Sequence, residues 1–294
     1  MDLRVGLVIL PTDDWPAARE HFVWAEGAGF ATAWTYDHLT WGGMPEGPWH
    51  AAFVLLAAAA TATERIRLGT LVTSPNFRHP VTLASEVITL DHVCSGRFDL
   101  GIGAGSSGPD AVVLGDEPWS PGERQDRFDE FVDLLDELLR HEVTTRRGRW
   151  YSAEHALNRP GCTQRPRVPF TVAGGGRRAL RTVARQGQRW VTLGATGPGA
   201  KTGEGVLAAV TAQCGELEAA CAEVGRDPAE IGRVLLVTAI DHGITSLGAF
   251  EDLAGPYAEL GFEEIVLHHP TQIGPYGGDR ATFEAVAARY GAGR

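Results

Sequence analysis

Eight short apolar segments recur along the chain, and a longer segment with a helical pattern follows each of them. The apolar segments cover residues 3–9, 31–36, 65–72, 97–103, 167–174, 189–194, 233–240 and 263–269. The helical patterns cover 15–30, 50–63, 80–93, 122–141, 177–187, 204–224, 247–261 and 280–291. Strands that are apolar almost throughout are typical of a parallel sheet covered on both faces. Eight such units in 294 residues predict an α/β fold, a single (β/α)8 TIM barrel over residues 1–294.

A doubly wound sheet divided between two domains is the competing architecture, and it should show a linker between its domains. The alternation of strands and helices contains no such linker. The one long irregular stretch, 146–166, lies between the fourth and fifth units. We therefore interpret it as an insertion within one barrel domain.

Charge and cysteine usage exclude several classes of function. The net charge of -11 leaves no excess of basic residues to bind a nucleic-acid backbone. The apolar run 53–62 is too short to cross a membrane, and the N-terminus lacks the features of a signal peptide. The 4 cysteines form no C-x-x-C pair, and no histidine pair has metal-site spacing. We expect a cytoplasmic protein that binds neither nucleic acid nor membrane and has no metal site.

The spacing G-x-G-x-x-G occurs at Gly103, Gly105 and Gly108. In a dinucleotide-binding Rossmann fold this motif lies in the first strand–helix turn, and the helix starts within it. Here the motif follows the fourth strand, and the next helical pattern starts only near Gly122. We therefore disfavour a nicotinamide site. In a barrel, glycines at the carboxyl end of a strand let a flat ligand approach the backbone closely.

Three stretches carry a resemblance to a known family. They are WTYDHL (34–39), the block 65–105 that includes GTLV and GIGAG, and PFTVAGGGRRALRTVARQGQRW (169–190). Together they resemble the bacterial-luciferase-like superfamily of flavin- and deazaflavin-dependent oxidoreductases, also called luciferase-like monooxygenases. The resemblance extends from the first strand to about Trp190.

The resemblance implies roles for residues at three strand ends. The Asp-His pair after the second strand is most similar to enzymes that use the deazaflavin F420, which makes His38 the candidate acid–base group and Asp37 its neighbour at the cofactor. An imidazole can exchange a proton near neutral pH. GTLV implies a cis peptide between Leu71 and Val72 that forms a bulge behind the cofactor ring. The glycine-rich segment adds Gly103, Ala104, Gly105 and Ser106 to the predicted cofactor site.

A second glycine-rich segment, AGGGRRAL, opens the helix of the fifth unit. Free backbone N–H groups and the positive end of a helix dipole favour a phosphate group. Phosphate binding by this unit also matches the family. The candidate phosphate site consists of Gly174, Gly175, Gly176 and Arg177, and Ala173 is a further candidate cofactor-binding residue.

The predicted substrate side contains aromatic residues. Trp41, Trp49 and His50 lie in a glycine-rich loop that walls the substrate side in the family, and aromatic rings suit a planar or apolar substrate. They are equally compatible with packing on the barrel rim. His268 and His269 end the eighth strand, where adjacent side chains point to opposite sides, so at most one of them faces the lumen. His268 is the candidate for the substrate pocket.

We therefore predict an F420-dependent oxidoreductase that transfers a hydride between the deazaflavin and a small organic substrate. An FMN-dependent monooxygenase that uses oxygen is the main alternative, and a flavin-binding protein without catalysis is a lesser one. Ser106 and Ser107 stand where F420-dependent sugar-phosphate dehydrogenases carry a glutamate, and Lys201 is the only lysine. A sugar-phosphate substrate is therefore disfavoured, as is a lysine-dependent barrel isomerase or lyase. Family barrels often form homodimers, but we interpret the apolar face of 129–139 as packing on the barrel.

Overall fold

Eight parallel strands close a barrel in this computed structural model, which describes residues 3–44, 46–194, 203–238, 244–270 and 278–291. The described strands are β1 (Arg4–Val8), β2 (Thr32–Thr35), β3 (Arg67–Thr73), β4 (Phe98–Ile102), β5 (Val143–Arg147), β6 (Ser152–Leu157), β7 (Phe170–Ala173), β8 (Arg189–Thr192), β9 (Gly232–Leu236) and β10 (Phe262–His268). All except β5 and β6 form the barrel, and β10 pairs with β1 to close it. The predicted TIM barrel is confirmed.

Each barrel strand is followed by a helix on the outside. The helices are α1 (Trp15–Ala28), α2 (Ala52–Ala62), α3 (Pro80–Val93), α4 (Pro121–Arg140), α5 (Arg177–Gln186), α6 (Gly203–Val224), α7 (Leu247–Glu259) and α8 (Arg280–Tyr290). Local sequence sets several helix ends. Asp14 caps α1, Gly29 ends it with a left-handed φ of 100°, and Ser120 and Glu123 form a capping box on α4.

All eight predicted strands are present, mostly one to three residues shorter than the apolar runs. Residues 239 and 240, which were predicted to extend the seventh barrel strand, lie outside the described residues. The G-x-G-x-x-G segment follows β4, and a short 3-10 helix (Pro109–Ala111) precedes α4. No described α-helix starts within the motif, and β4 lies between β3 and β7 in the barrel. The glycine motif therefore lies at the mouth of a barrel and not in the first strand–helix turn of a Rossmann fold.

The insertion between the fourth and fifth units is partly regular, which corrects the prediction of an irregular stretch over 146–166. Strands β5 and β6 form an antiparallel hairpin that begins at Val143. Both strands are mostly polar and lack the alternation of apolar and polar residues that would indicate a strand in the sequence. A contact with α4 holds the turn of this hairpin: the carboxylate of Glu130 accepts hydrogen bonds from the backbone N–H groups of Trp150 (2.9 Å) and Tyr151 (2.7 Å).

Charged and aromatic side chains fill the amino-terminal part of the barrel. Glu264 on β10 is 1 % exposed, pairs with Arg189 on β8 and accepts a hydrogen bond from Trp34 Nε1 at 3.0 Å. Burial raises the pKa of Glu264, but the neighbouring Arg189 guanidinium outweighs it and holds the pKa below its ordinary value. Gly6 and Gly69 make room for this layer, because a Cβ at either position would overlap Glu264 or Trp34.

The outer helices bury their apolar faces on the barrel. Phe128, Phe131, Leu135 and Leu138 of α4 are fully buried, which confirms the interpretation of that face as packing. Within the described residues, no helix combines the length and apolarity needed to cross a lipid bilayer.

Candidate active site

A cavity of about 810 Å³ opens at the carboxyl ends of the barrel strands, where barrel enzymes carry their active sites. Its walls come from the segments at the ends of β2, β3, β4, β7, β8 and β9. The predicted site residues that line it are His38, Trp41, Leu71, Val72, Gly103, Ala104, Gly105, Ser106, Ala173, Gly174, Gly175 and Gly176. Residues from four predicted segments therefore share one cavity.

His38 is held by a carboxylate that the sequence did not reveal. Its Nδ1 lies 2.5 Å from Oδ2 of Asp110, which is 5 % exposed and belongs to the 3-10 helix after β4. The other oxygen of Asp110 accepts hydrogen bonds from the backbone N–H groups of Leu39 and Thr40, both at 2.9 Å. Since an ionised carboxylate only accepts hydrogen bonds, Nδ1 must carry a proton. Nε2 is then the nitrogen left to exchange a proton with a bound molecule.

Electrostatics keep Asp110 ionised in this arrangement. Burial raises the pKa of its carboxyl group, but the hydrogen bonds from His38 and the Thr40 amide together outweigh burial and lower the pKa below its usual value. Asp110 lies 72 residues from His38. The only local signal for it was an acidic residue soon after the glycine segment of β4.

The glycines after β4 are required by close packing. Gly105 has a φ of +75°, and a Cβ there would lie 2.5 Å from Oδ1 of Asn76. The amide of Asn76 also donates a hydrogen bond to the Ser106 carbonyl at 3.1 Å. A Cβ at Gly103 would lie 2.9 Å from the Val72 side chain. The segment is thus held against the end of β3, and its backbone faces the cavity.

Helix α5 presents an open amino terminus to the same cavity. Its N-cap, Gly176, has no side chain to accept the first N–H groups, and nothing lies within 4 Å of a Cβ built there. Gly174 and Gly175 are tightly packed, against Ala179 and against Gln213 of α6 respectively. Backbone N–H groups at a helix amino terminus that lack an acceptor within the helix form a site for an anion. The observed cradle fits the phosphate group predicted for this segment.

The peptide bond between Leu71 and Val72 is cis, which confirms the bond expected from the family resemblance. The pairing of β3 with β4 shifts register between Thr70 and Thr73, so the backbone bulges at this point. Both Leu71 and Val72 line the cavity. They share this cavity with the glycine segments, which fits a site for the edge of a flat ring system.

The ring of His38 belongs to a cluster of aromatic side chains at the end of β2. Tyr36 and Trp41 have ring centroids 5.6 Å apart, Trp41 and Trp49 are 5.5 Å apart, and Trp49 lies 5.9 Å from His38. Trp49, a predicted substrate-pocket residue, is not among the residues that line the cavity. We call Tyr36, His38, Trp41 and Trp49 the aromatic wall.

His268, predicted to lie in the substrate pocket, does not line the cavity and contacts the lining residue Tyr36 instead. Its Nε2 lies 2.7 Å from the hydroxyl oxygen of Tyr36, and His268 itself is buried below the lining residues. His269 faces the other way, with its ring 4.1 Å from that of His21. The two neighbouring side chains therefore point to opposite sides of β10. Tyr36 was not among the predicted site residues, because a tyrosine that ends a strand carries no signal of its own.

Besides Trp49 and His268, three further predicted site residues lie outside the lining of the cavity. Asp37 is 1 % exposed and pairs with Arg78 at 2.7 Å, so its carboxylate fixes the loop after β2. The Arg177 side chain is 67 % exposed and lies 3.8 Å from both Glu216 and Glu223. His50 is exposed, and its backbone N–H donates to the Pro11 carbonyl at 2.7 Å.

The described residues contain no group of three or more histidine, cysteine, aspartate or glutamate side chains arranged to hold a metal ion. The polar groups that do meet in the cavity are suited to hydrogen bonding and proton exchange.

Solved structures with the same fold include several redox enzymes. An F420-dependent secondary alcohol dehydrogenase, in complex with an F420-acetone adduct, has a TM-score of 0.80 at 18% identity, with 98% of this chain and 97% of that chain covered. The F420-dependent tetrahydromethanopterin reductase of Methanopyrus kandleri has a TM-score of 0.75 at 17% identity, with the same shares of both chains covered. At these identities the likeness concerns the fold alone.

Sequence comparison finds nearer relatives. A protein named F420-dependent glucose-6-phosphate dehydrogenase from Beutenbergia cavernae is 37% identical over 179 residues, which cover 60% of this chain and 52% of the relative. A protein named limonene 1,2-monooxygenase from Rhodococcus erythropolis is 33% identical over 132 residues, which cover 44% of this chain and 32% of the relative. The chain thus spans about half the length of the first of these relatives and a third of the second. The sequence profile of the luciferase-like monooxygenases matches residues 4–242, most of the chain, and the protein therefore belongs to the luciferase-like monooxygenase family.

Proposed function

We propose that this protein is an F420-dependent oxidoreductase that transfers a hydride between the deazaflavin and a small organic substrate. The observation that carries the proposal is the meeting of two features in one cavity: the open amino terminus of α5 and the His38–Asp110 pair. The first suits the phosphate of a flavin-type cofactor, and the second suits proton exchange at a substrate. The 37% identity to a protein named as F420-dependent supports the choice of cofactor.

The residues at the mouth suit each part of such a cofactor. Gly175 and Gly176 would hold its phosphate with backbone N–H groups, whereas the N–H of Gly174 donates to the Val191 carbonyl. Leu71–Val72 and the segment after β4 would border its ring. When bound, the deazaflavin supplies or accepts the hydride. This chain supplies orientation and a cavity that excludes water from the reacting atoms.

In this proposal His38 accepts or donates the proton that is transferred together with the hydride. With Nδ1 donating to Asp110, a neutral His38 accepts a proton at Nε2 when a substrate is oxidised and returns it when a substrate is reduced. Asp110 does not touch the substrate in this scheme; it is a positioning residue that fixes the tautomer and the orientation of the ring. The two backbone N–H groups of Leu39 and Thr40 hold Asp110 in turn.

Titration of the purified protein with F420 and with FMN tests the proposal. We expect saturable F420 binding, followed by absorbance, and reduction of bound F420 by an alcohol substrate without oxygen. Tight FMN binding with oxygen-dependent product formation would instead support the monooxygenase alternative, which the relative named as a limonene monooxygenase favours. Cofactor binding without turnover of any substrate would support a binding protein.

Substitution of Gly176 by aspartate tests the phosphate cradle. Gly176 has φ -98° and ψ 155°, and open space surrounds its Cβ position, so an aspartate fits there and caps α5. We expect the free energy of unfolding to stay the same or rise by a few tenths of a kcal/mol, while cofactor affinity falls by at least ~10-fold, because the carboxylate occupies the anion position. Isothermal titration and denaturant unfolding measure the two effects.

Gly176→Asn is the matched control, because it adds a cap of the same size without charge. Its loss of cofactor affinity should be clearly smaller than that of Gly176→Asp. Arg177→Ala should have little effect, since that side chain faces solvent and two glutamates. Equal affinity of the Gly176→Asp and unmodified proteins would remove the α5 terminus from the cofactor site.

Substitution of Asp110 by asparagine tests the positioning role. The asparagine amide can donate to Nδ1 and leave the proton on Nε2, which is the wrong tautomer for a base. We expect kcat to fall by roughly 10-fold or more, with cofactor affinity changed less than about twofold. Asp116→Asn, an exposed acid in the same loop, is the control. Full activity of Asp110→Asn would show that His38 does not depend on this carboxylate.

A further inference from the structure

Gln213 of α6 connects two of the segments that form the mouth of the barrel. Its Oε1 accepts a hydrogen bond from the Thr192 hydroxyl at 2.7 Å, and its Nε2 donates to the Gly194 carbonyl at 3.2 Å. The same nitrogen lies 2.5 Å from the position that a Cβ of Gly175 would occupy, and the side chain lines the cavity. The amide therefore contacts both the end of β8 and the glycine segment before α5.

The neighbouring hydrogen bonds determine which end of the Gln213 amide faces Gly175. The Thr192 hydroxyl oxygen accepts a hydrogen bond from the Gly194 N–H at 3.0 Å and passes its own hydrogen to Oε1. The Gly194 carbonyl needs a donor, and Nε2 supplies it. An inverted amide would instead set an oxygen against this carbonyl oxygen, which is repulsive. The nitrogen is therefore the atom that packs on Gly175.

One N–H group of this amide has no acceptor among the residues that the structure describes. A primary amide carries two N–H donors, and the Gly194 carbonyl takes one of them. The other belongs to a nitrogen that borders the cavity beside Gly175. A donor at this position suits an oxygen atom of a molecule bound in the cavity.

An anion at the start of α5 would depend on neutral donors of this kind. None of the described residues that line the cavity is an arginine or a lysine, and the Arg177 side chain is exposed beside two glutamates. Of the three glycines, Gly174 already donates its N–H to the Val191 carbonyl, which leaves Gly175 and Gly176. Because a hydrogen bond to a charged group is stronger than one between neutral groups, a further donor should have a measurable effect on affinity.

We infer that Gln213 is a cofactor-binding residue, whose second Nε2 hydrogen is donated to the phosphate at the start of α5. The inference rests on the proposed function and adds a side chain from α6 to the two backbone donors of the glycine segment. It also gives a reason for glycine at position 175, since a side chain there would displace the amide nitrogen.

Ligand pairs that differ only in the phosphate test the inference without turnover. One pair is the deazaflavin ring with its ribityl chain, with and without the terminal phosphate, and the second pair is FMN and riboflavin. Fluorescence titration gives the Kd of each compound. We expect Gln213→Leu to weaken binding of the phosphorylated deazaflavin by at least ~10-fold, the loss of one hydrogen bond to a charged group. Gln213→Glu should weaken it further, because a carboxylate oxygen replaces Nε2. Both variants should bind the phosphate-free compound within about threefold of the unmodified protein.

Gln125→Leu is the matched control for the loss of a buried amide. Gln125 lies on α4, donates to the Thr182 hydroxyl of α5 at 3.3 Å and does not line the cavity. This variant should bind both members of each pair like the unmodified protein, and circular dichroism confirms that each variant is folded.

Two results would overturn the inference. Equal losses for the two members of a pair would show that Gln213 only supports the shape of the mouth, and unchanged affinity for the phosphorylated member would show that the amide does not contact the phosphate. Failure of the unmodified protein to bind the phosphorylated deazaflavin would instead overturn the proposed function, and the pair of FMN and riboflavin then tests Gln213 separately.

Discussion

Replacement of His38 by alanine is expected to lower turnover by at least ~100-fold, the low end of the contribution of a positioned acid–base group. The reason is the geometry of the pair with Asp110: the 2.5 Å contact at Nδ1 leaves Nε2 as the proton-exchanging atom. The predicted phosphate and ring contacts come from other segments. Cofactor affinity should therefore change less than about threefold, and absorbance titration measures it beside kcat.

Two controls separate the chemical role of His38 from a structural one. Free imidazole added to His38→Ala should restore part of the lost turnover, because it can occupy the vacated space and exchange the proton. His141→Ala, at the exposed end of α4, should behave like the unmodified protein. Full turnover of His38→Ala with cofactor bound would remove His38 from the mechanism.

Replacement of Glu264 by alanine is expected to lower the free energy of unfolding by about 3–5 kcal/mol. The change leaves Arg189 without its most buried partner and removes the acceptor of the Trp34 Nε1 hydrogen bond inside the barrel. Urea unfolding of the purified proteins measures the difference. Glu263→Ala is the matched control, because Glu263 is the next residue, also pairs with Arg189 at 2.9 Å and is partly exposed. We expect it to cost less than about 1 kcal/mol.

The Glu264–Arg189 pair also predicts how the free energy of unfolding depends on pH below neutrality. The pKa of Glu264 is lower in the folded protein than its ordinary value, so its stabilisation is fully present above the unfolded value of about 4.3. It is lost as the pH falls through the lower folded value. Stability should therefore decline more steeply below about pH 4 in the unmodified protein than in Glu264→Ala. Parallel declines would show that this carboxylate is not ionised in the folded state.

The barrel and the glycine cradles could be predicted because their signals are local. A short apolar run of about six to eight residues identifies a buried strand wherever it lies. The segment AGGGRRAL likewise contains both its glycines and the start of α5. The cis bond between Leu71 and Val72 was found through the family resemblance, since no local propensity indicates it.

The pairs that complete the site could not be predicted because barrel closure brings them together. Asp110 meets His38 across 72 residues, and His268 meets Tyr36 across 232 residues, since β10 closes the barrel against β1, the neighbour of β2. Asp37 and Arg177 were predicted to contact the cofactor because Asp37 is adjacent to His38 in the sequence and Arg177 is adjacent to Gly176. In the fold, Arg78 draws Asp37 away from the cavity, and two glutamates lie beside Arg177 at the surface.

The crystal structure of the protein with F420 tests the central claim most directly. The account predicts that the deazaflavin ring lies against Leu71–Val72 with one face toward His38, and that the first phosphate is bound by the backbone N–H groups of Gly175 and Gly176. A ring bound outside the barrel mouth, or a phosphate distant from the start of α5, would contradict it.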